Sequence, residues 1–136
     1  MESTIAHLVK ECKESTFVNT FKTMQLRMQK INESKGFNET WKRAVESGDV
    51  EFINSVKGLK LALIIGELSE CLEGIRKGNP PDSHIPDFSS EEAELADVQI
   101  RLMNYASDTG ARLAEATIAK SSYNENRPFK HSGKLF

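Results

Sequence analysis

Two pairs of carboxylates are the residues of this chain best suited to chemistry. Glu67 and Glu70 form the first pair, and Glu94 and Asp97 form the second. Residues three apart on a helix project about 60° from each other, so each pair presents two carboxylates on one face. Four carboxylates that converge in apolar surroundings repel each other and lose hydration, at a cost of roughly several kcal/mol per charge. A divalent cation would relieve that cost. An all-oxygen donor set favours Mg²⁺, with Mn²⁺ as a substitute, in chemistry on phosphate esters.

The sequence around the second pair predicts a helix that is buried over most of its surface. At about 100° per residue, apolar side chains occupy most of its circumference. The polar residues fall into one narrow wedge: Glu94, Asp97, Arg101, Asn104 and Asp108. A solvated charge face is the usual meaning of an isolated Glu-x-x-Asp, but it belongs to a helix with a broad polar side. We therefore interpret the wedge as a polar seam that faces the protein interior.

The first pair lies on the flank of another apolar helix. Twenty-three residues separate Glu70 from Glu94, enough for the end of one helix, a loop and an antiparallel return. The two pairs can therefore face each other across the gap between adjacent helices. Gly74, one turn after Glu70, either leaves room for a ligand or a neighbouring helix, or is a tolerated glycine that costs about 1 kcal/mol of helix propensity.

Helical periodicity extends along almost the whole chain, without a run of strand alternation. We expect a short helix near the N-terminus and longer ones over residues 16–36, 57–77, 90–107 and 111–126. A helix over 39–47 should end at Gly48, a short helical turn should follow over 50–54, and 78–90 should be a loop that ends in a Ser89–Glu92 capping box. The fold class is therefore all-α, a bundle of four to five main helices. Residues 1–136 read as a single domain, with a helical extension at 1–15 and an irregular basic tail at 128–136.

Composition and charge narrow the function classes. The chain has 136 residues and a net charge of −2, which argues against a general nucleic-acid binder or a membrane-surface protein. Cys12 and Cys71 match neither a zinc spacing nor a disulfide framework, so a reduced, cytoplasmic location is expected. No segment resembles a signal peptide or a membrane span. The histidines form no Glu-x-x-His pair, which disfavours a di-iron bundle.

A second group of candidate residues lies near the C-terminus. Lys120, Asn124 and Arg127 are spaced by four and three residues, so they share one face of the last helix and its exit. Arg as a bidentate fork and Lys as a point charge suit a triphosphate. Cations also favour helix C-termini for purely electrostatic reasons, and composition alone leaves the two interpretations even.

These motifs together resemble the MazG-type all-α nucleoside triphosphate pyrophosphohydrolases. That family has a Glu-x-x-Glu helix followed by a Glu-x-x-Asp helix, and its small single-domain members end in a Lys…Asn…Arg-Pro pattern. The resemblance covers about residues 17–135. Two features depart from it: Gly66 stands where the family commonly has a first glutamate of a double glutamate, and residues 37–57 form a longer segment than expected.

The resemblance implies Mg²⁺-dependent hydrolysis of a nucleoside triphosphate, expected to be a deoxynucleotide, to the monophosphate and pyrophosphate in nucleotide-pool housecleaning. The four carboxylates would hold the metal and act in catalysis, one of them accepting the proton of the attacking water. Lys120, Asn124 and Arg127 would bind phosphate or sugar, and Asn104 would support substrate or metal. It also implies a homodimer or homotetramer with sites at subunit interfaces.

Recognition of the base is the least determined part of this expectation. Trp41 is the candidate for stacking on the base, although a lone tryptophan is more often a core residue. Base edges could be read by Gln25, Gln29 and Asn32 on the preceding helix. Two alternatives remain open: a non-catalytic helical interaction module whose acidic seam pairs with a basic partner, and the same enzyme class acting on a phosphoribosyl or damaged nucleotide.

Overall fold

The computed structural model describes residues 14–133, and this part of the chain is helical. It contains six helices: α1 (Glu14–Ser34), α2 (Glu39–Ser47), α3 (Val50–Arg76), α4 (Ser90–Thr109), α5 (Leu113–Glu125) and the four-residue α6 (Lys130–Gly133). A single β-bridge, between Pro81 and Ser89, is the only strand-like pairing within these residues. The prediction of an all-α fold is confirmed for residues 14–133. The short N-terminal helix predicted before residue 14, with Cys12, lies outside the described residues.

The described residues divide into two compact units, each with its own contacts. The first unit contains the chain up to Met24 together with the chain from Arg112 onward. The second unit is the continuous segment Gln25–Ala111. The four candidate carboxylates, Trp41 and Asn104 belong to the second unit, whereas the C-terminal group of Lys120, Asn124 and Arg127 belongs to the first.

Helix α3 starts seven residues earlier than the sequence analysis predicts. It begins at Val50 because Asp49 is an N-cap: the Asp49 carboxylate accepts hydrogen bonds from the backbone N–H groups of Glu51 and Phe52. The expected separate turn over 50–54 and helix start near residue 57 are therefore wrong. Gly58 lies inside this continuous helix. The predicted helix over 39–47 is confirmed as α2, which ends at Gly48 in the left-handed conformation.

Helices α3 and α4 pack against each other in antiparallel order. Successive contacts run in opposite directions along the two helices, from Cys71 with Glu91 to Glu67 with Arg101. The helices approach closely at Gly74, where an added Cβ atom would lie 2.9 Å from the Cβ of Ser90. Of the two interpretations of Gly74, the structure supports room for a neighbouring helix.

The loop between α3 and α4 is held by its own polar groups. The predicted capping box is present: Ser89 Oγ accepts a hydrogen bond from the backbone N–H of Glu92, and the Glu92 carboxylate accepts from the backbone N–H of Ser89. Asn79 bridges the two helix ends, since its Oδ1 accepts from the N–H of Glu91 at 2.9 Å. These contacts set the level at which α4 starts beside α3, and with it the position of the second carboxylate pair.

The expectation that α4 is wrapped in apolar protein is wrong for this chain alone. Only Ala93, Met103 and Ala106 are buried on α4, and Leu95 is 46% exposed. Helix α3 likewise buries three residues, yet it leaves an apolar row on its surface: Leu61, Ile65, Leu68, Leu72 and Ile75. We call these five residues the α3 stripe. The physical reason is that one short chain lacks the helices needed to cover every apolar face that its sequence contains.

The first unit is smaller and joins the start of α1 to α5. Lys22 Nζ pairs with Glu115 Oε1 at 2.5 Å, and Ala114 is buried. The tail predicted as irregular over residues 128–136 contains α6 in its described part. Its backbone is unusual for a helix, because φ is positive at Lys130 and Ser132, a region that L-residues seldom adopt. None of the helices between residues 14 and 133 has the combination of length and apolar character needed to cross a bilayer.

Candidate metal and nucleotide site

Three of the four candidate carboxylates come together between α3 and α4. Glu67, Glu70 and Glu94 each contribute one oxygen, and these oxygens lie within 4.8 Å of one another. Glu67 and Glu94 are partly buried and Glu70 is exposed. We call these three residues the acidic triad. Asp97 is not a member, although it lies one turn further along α4 on the same side as Glu94.

The electrostatics of the triad show that its charges are costly. Burial raises the pKa of Glu94, and the neighbouring Glu70 and Glu67 carboxylates raise it further. Burial also raises the pKa of Asp97, as does the Glu67 charge, while the Arg101 guanidinium acts in the opposite direction. Each shift favours the neutral form, so a cation placed among these oxygens would stabilise the charged forms.

The donor set fits a hard divalent cation. All three ligand atoms are carboxylate oxygens, the type that Mg²⁺, Mn²⁺ and Ca²⁺ prefer over softer metals. With metal–oxygen distances of about 2.1 Å, neighbouring oxygens on one octahedral Mg²⁺ lie about 3.0 Å apart, and only a pair on opposite sides of the ion reaches about 4.2 Å. The present oxygens lie within 4.8 Å of one another, so each side chain would have to move inward by up to about 1 Å to bind one ion. Glu70 is exposed, and it has the freedom to make such a movement.

A pocket of about 370 Å³ opens beside the triad, entirely within the second unit. Its wall contains Glu67, which is also a triad member, and Asp97 from the facing helix. Trp41, Asn104 and Asn32, which the sequence analysis selected for substrate binding, line the same pocket. Most of the remaining wall is apolar, from residues such as Leu59, Leu63 and Ile100. Such a cavity, apolar with a few polar groups, has the character of a small-molecule site.

Of the two roles considered for Trp41, the structure supports the core role. It is 9% exposed and packs in the core with Ala44 and Val56, so it is a core residue. It also forms part of the pocket wall. The indole therefore contributes to the stability of the second unit, and its stacking on a base stays a prediction.

The inner part of the pocket contains a polar group that the sequence analysis missed. Lys60 lines the pocket, and its Nζ lies 2.7 Å from Asp108 Oδ2 in an ion pair whose Asp108 side chain is 4% exposed. Asn104, one turn before Asp108 on α4, has a buried Oδ1 without a hydrogen-bond partner among the described residues. Lys60 lies two turns before Glu67, next to the apolar run of residues 61–65, and a cation at that position is the signal that could have revealed it.

The predicted C-terminal group is assembled within the first unit. Lys120 Nζ lies 4.8 Å from the centre of the Tyr123 ring, and Arg127 lies over the same ring at 5.6 Å. Arg127 Nη1 donates a hydrogen bond to Asn124 Oδ1 at 3.3 Å. The Tyr123 ring, which the sequence analysis did not select, thus contacts both predicted cations, and Asn124 joins the group through Arg127.

Comparisons of the chain with protein-family models, with curated proteins and with solved structures give no match. The residues of the acidic triad and the pocket are therefore the guide to the function of this protein.

Proposed function

We propose that this protein is a divalent-metal-dependent nucleoside triphosphate pyrophosphohydrolase, which converts a nucleoside triphosphate and water to the monophosphate and pyrophosphate. The observation that carries the proposal is the shared position of Glu67. This one residue belongs both to the acidic triad and to the wall of the 370 Å³ pocket. A metal on the triad and a ligand in the pocket would therefore be direct neighbours.

The chain's own residues have complementary roles in this proposal. Glu67, Glu70 and Glu94 would hold Mg²⁺, and Asp97 lies on the wall of the adjoining pocket. When bound, the metal would supply charge neutralisation for the triphosphate and a lower pKa for the attacking water. Water adds to the α-phosphorus, the bond to the oxygen that bridges the α- and β-phosphates breaks, and pyrophosphate leaves. A carboxylate of this group accepts the proton of the water.

The pocket supplies binding rather than chemistry. Trp41 offers an aromatic face to the base, and Asn104 offers an amide to the sugar or base. The uncharged, mostly apolar part of the wall excludes water around the nucleoside, while the charged edge at Glu67 and Asp97 faces the phosphates. Lys120, Asn124 and Arg127 retain the role that the family resemblance implies, which is binding phosphate or sugar.

The test is an assay of a panel of dNTPs and NTPs with Mg²⁺, in which monophosphate and pyrophosphate are separated and quantified. We expect turnover that a chelator abolishes and that Glu70→Gln reduces by orders of magnitude. Glu73→Gln is the matched control, because Glu73 is an exposed glutamate of α3 outside the triad. Release of orthophosphate with a diphosphate would keep the metal site and reject the pyrophosphohydrolase. Equal turnover in both variants would reject the triad, and absence of turnover by the wild type would favour the interaction-module alternative.

We further propose that the protein is a homodimer formed through the α3 stripe. Its five residues follow one another at spacings of four, three, four and three, the pattern of a helix–helix seam. Each is between 44% and 64% exposed. A second copy of the chain offers an identical apolar row, so a two-fold axis would pair the stripe with itself.

The association state checks this proposal. Leu68→Glu places a charge at the centre of the stripe and should convert a dimer to a monomer in light scattering after size exclusion. Val45→Glu is the control, because Val45 is 50% exposed on α2, away from the stripe. A wild-type protein that is monomeric at micromolar concentration, or a Leu68→Glu variant that remains a dimer, would exclude this interface.

A further inference from the structure

Two cations line the pocket, and they differ in what they have left to offer a ligand. Lys60 is committed to Asp108, an anion whose side chain is 4% exposed. Arg101 contacts Glu67 through its Nε at 2.5 Å. Neither terminal amino group of Arg101 has a hydrogen-bond or ion-pair partner among residues 14–133. Arg101 therefore has N–H donors available for a ligand, whereas the ammonium group of Lys60 is held by Asp108.

Arg101 lines the pocket and is the more accessible member of its ion pair. Arg101 lies one turn after Asp97 on α4, and its side chain is 40% exposed, whereas that of Glu67 is 12% exposed. The Arg101 side chain is thus more accessible than the Glu67 side chain with which it pairs. A guanidinium has five N–H donors, of which Nε provides one, so four remain on the two terminal nitrogens.

A polyphosphate that enters this pocket meets Glu67 and Asp97 on the wall, two anions that would repel it. A metal on the triad offsets part of this repulsion, and a guanidinium beside Glu67 offsets more. The planar fork of two terminal amino groups matches the spacing of phosphate oxygens, which a lysine ammonium does not reproduce.

We propose that Arg101 is a polyphosphate-binding residue, which holds Glu67 through Nε and binds phosphate oxygens through its terminal amino groups. One side chain would then connect a metal-binding carboxylate to the ligand's phosphates. The identification of the ligand as a nucleoside triphosphate rests on the proposed function. The phosphate contact itself does not, because inorganic triphosphate offers the same oxygens.

The experiment is calorimetric titration of inorganic triphosphate into the full chain in the presence of Ca²⁺, an oxygen-binding cation chosen to avoid turnover. Arg101→Met removes the fork, Arg101→Lys keeps a charge without it, and Arg76→Met is the control. Arg76 is matched because it is also a helical arginine with an acidic partner, Glu73 at 3.7 Å, but it is 74% exposed and outside the pocket. We expect affinity to fall about 10- to 100-fold in Arg101→Met, less in Arg101→Lys, and less than about twofold in Arg76→Met.

A second measurement separates phosphate binding from a structural role. Mn²⁺ binding without phosphate, followed by electron paramagnetic resonance, should be retained or tighter in Arg101→Met, because a competing cation has left Glu67. Loss of Mn²⁺ binding together with triphosphate binding would mean that Arg101 only holds the carboxylates in place, and would overturn the proposal. Unchanged triphosphate affinity in both Arg101 variants would also overturn it.

The two proposals fail in distinguishable ways. A wild-type protein that binds triphosphate through Arg101 but hydrolyses no nucleotide would refute the enzyme and leave the phosphate contact standing. A wild-type protein that hydrolyses nucleotides, with Arg101 variants of normal KM and normal triphosphate affinity, would refute the contact and leave the enzyme standing.

Discussion

Replacing Gly74 by alanine should destabilise the protein, whereas the same replacement at Gly58 should stabilise it. Both glycines lie inside α3, and neither has a positive φ, so alanine suits the backbone of both. They differ in surroundings. A Cβ at Gly58 would have nothing within 4 Å, whereas a Cβ at Gly74 would lie 2.9 Å from the Cβ of Ser90. Ser90 has little freedom to retreat, because its N–H donates to Pro80 O at 2.8 Å at the start of α4.

The magnitudes follow from two opposing effects. Alanine gains about 1 kcal/mol over glycine in a helix interior, and Gly58→Ala should realise most of that gain. Forcing a methyl group into an occupied space costs about 1–3 kcal/mol. The helix-propensity gain is common to both variants and cancels in their comparison. Gly74→Ala should therefore be less stable than Gly58→Ala by about 1–3 kcal/mol.

Urea denaturation followed by circular dichroism measures the difference in the free energy of unfolding. Ser90→Gly provides a further check, because removal of its Cβ should relieve the clash, so the double variant Gly74→Ala/Ser90→Gly should show a favourable coupling energy. Mn²⁺ affinity should fall in Gly74→Ala but not in Gly58→Ala, because a displaced α4 would carry Glu94 away from Glu70. Equal stabilisation by alanine at both glycines, with no coupling to Ser90, would refute the close approach of α3 and α4.

Three further predictions concern the site. Mg²⁺ or Mn²⁺ should raise the Tm of the wild type but not that of Glu70→Gln, and indifference of the wild-type Tm to both metals would contradict the triad as a metal site. The raised pKa of Glu94 means that the folded state holds this proton more tightly than the unfolded chain, so its contribution to stability should be lost as the pH rises from 4.5, the ordinary value, through the folded-state pKa. The metal-free difference in unfolding free energy between wild type and Glu94→Gln should show that trend, and a pH-independent difference would contradict it. Trp41→Ala should lower the Tm and raise KM by roughly 10- to 100-fold, because the ring is both core and pocket wall; a change in only one quantity would assign it to one role.

The carboxylate arrangement was the part of the site most accessible from sequence. Helical spacing predicted that Glu67 and Glu70 share a face, and the length from Glu70 to Glu94 predicted the antiparallel return. Both depend on local geometry, which periodicity reports directly. The start of α3 was less accessible, because residues 50–54 could form a separate turn, and the cap at Asp49 marks where the continuous helix begins.

Long-range pairs escaped prediction for a different reason. Arg101 with Glu67 and Lys60 with Asp108 are separated by 34 and 48 residues in the sequence, and nothing in the periodicity of either helix specifies its partner. The burial of α4 was also misjudged. Apolar side chains around most of its circumference indicate a helix that packs against other helices. The sequence pattern does not say whether those helices belong to the same chain or to a second one.

The α3 stripe and the acidic triad lie on different sides of α3. The centre of the stripe lies near Leu68. At about 100° per residue, Glu70 projects to the opposite side of α3. A second copy that covers the stripe would therefore leave the acidic triad open, and each subunit would keep its own carboxylates and pocket. This differs from the subunit-interface sites that the family resemblance implies. Leu68→Glu should thus lose self-association and still bind Mn²⁺ with wild-type affinity. Loss of Mn²⁺ binding along with the dimer would show instead that the partner subunit completes the site.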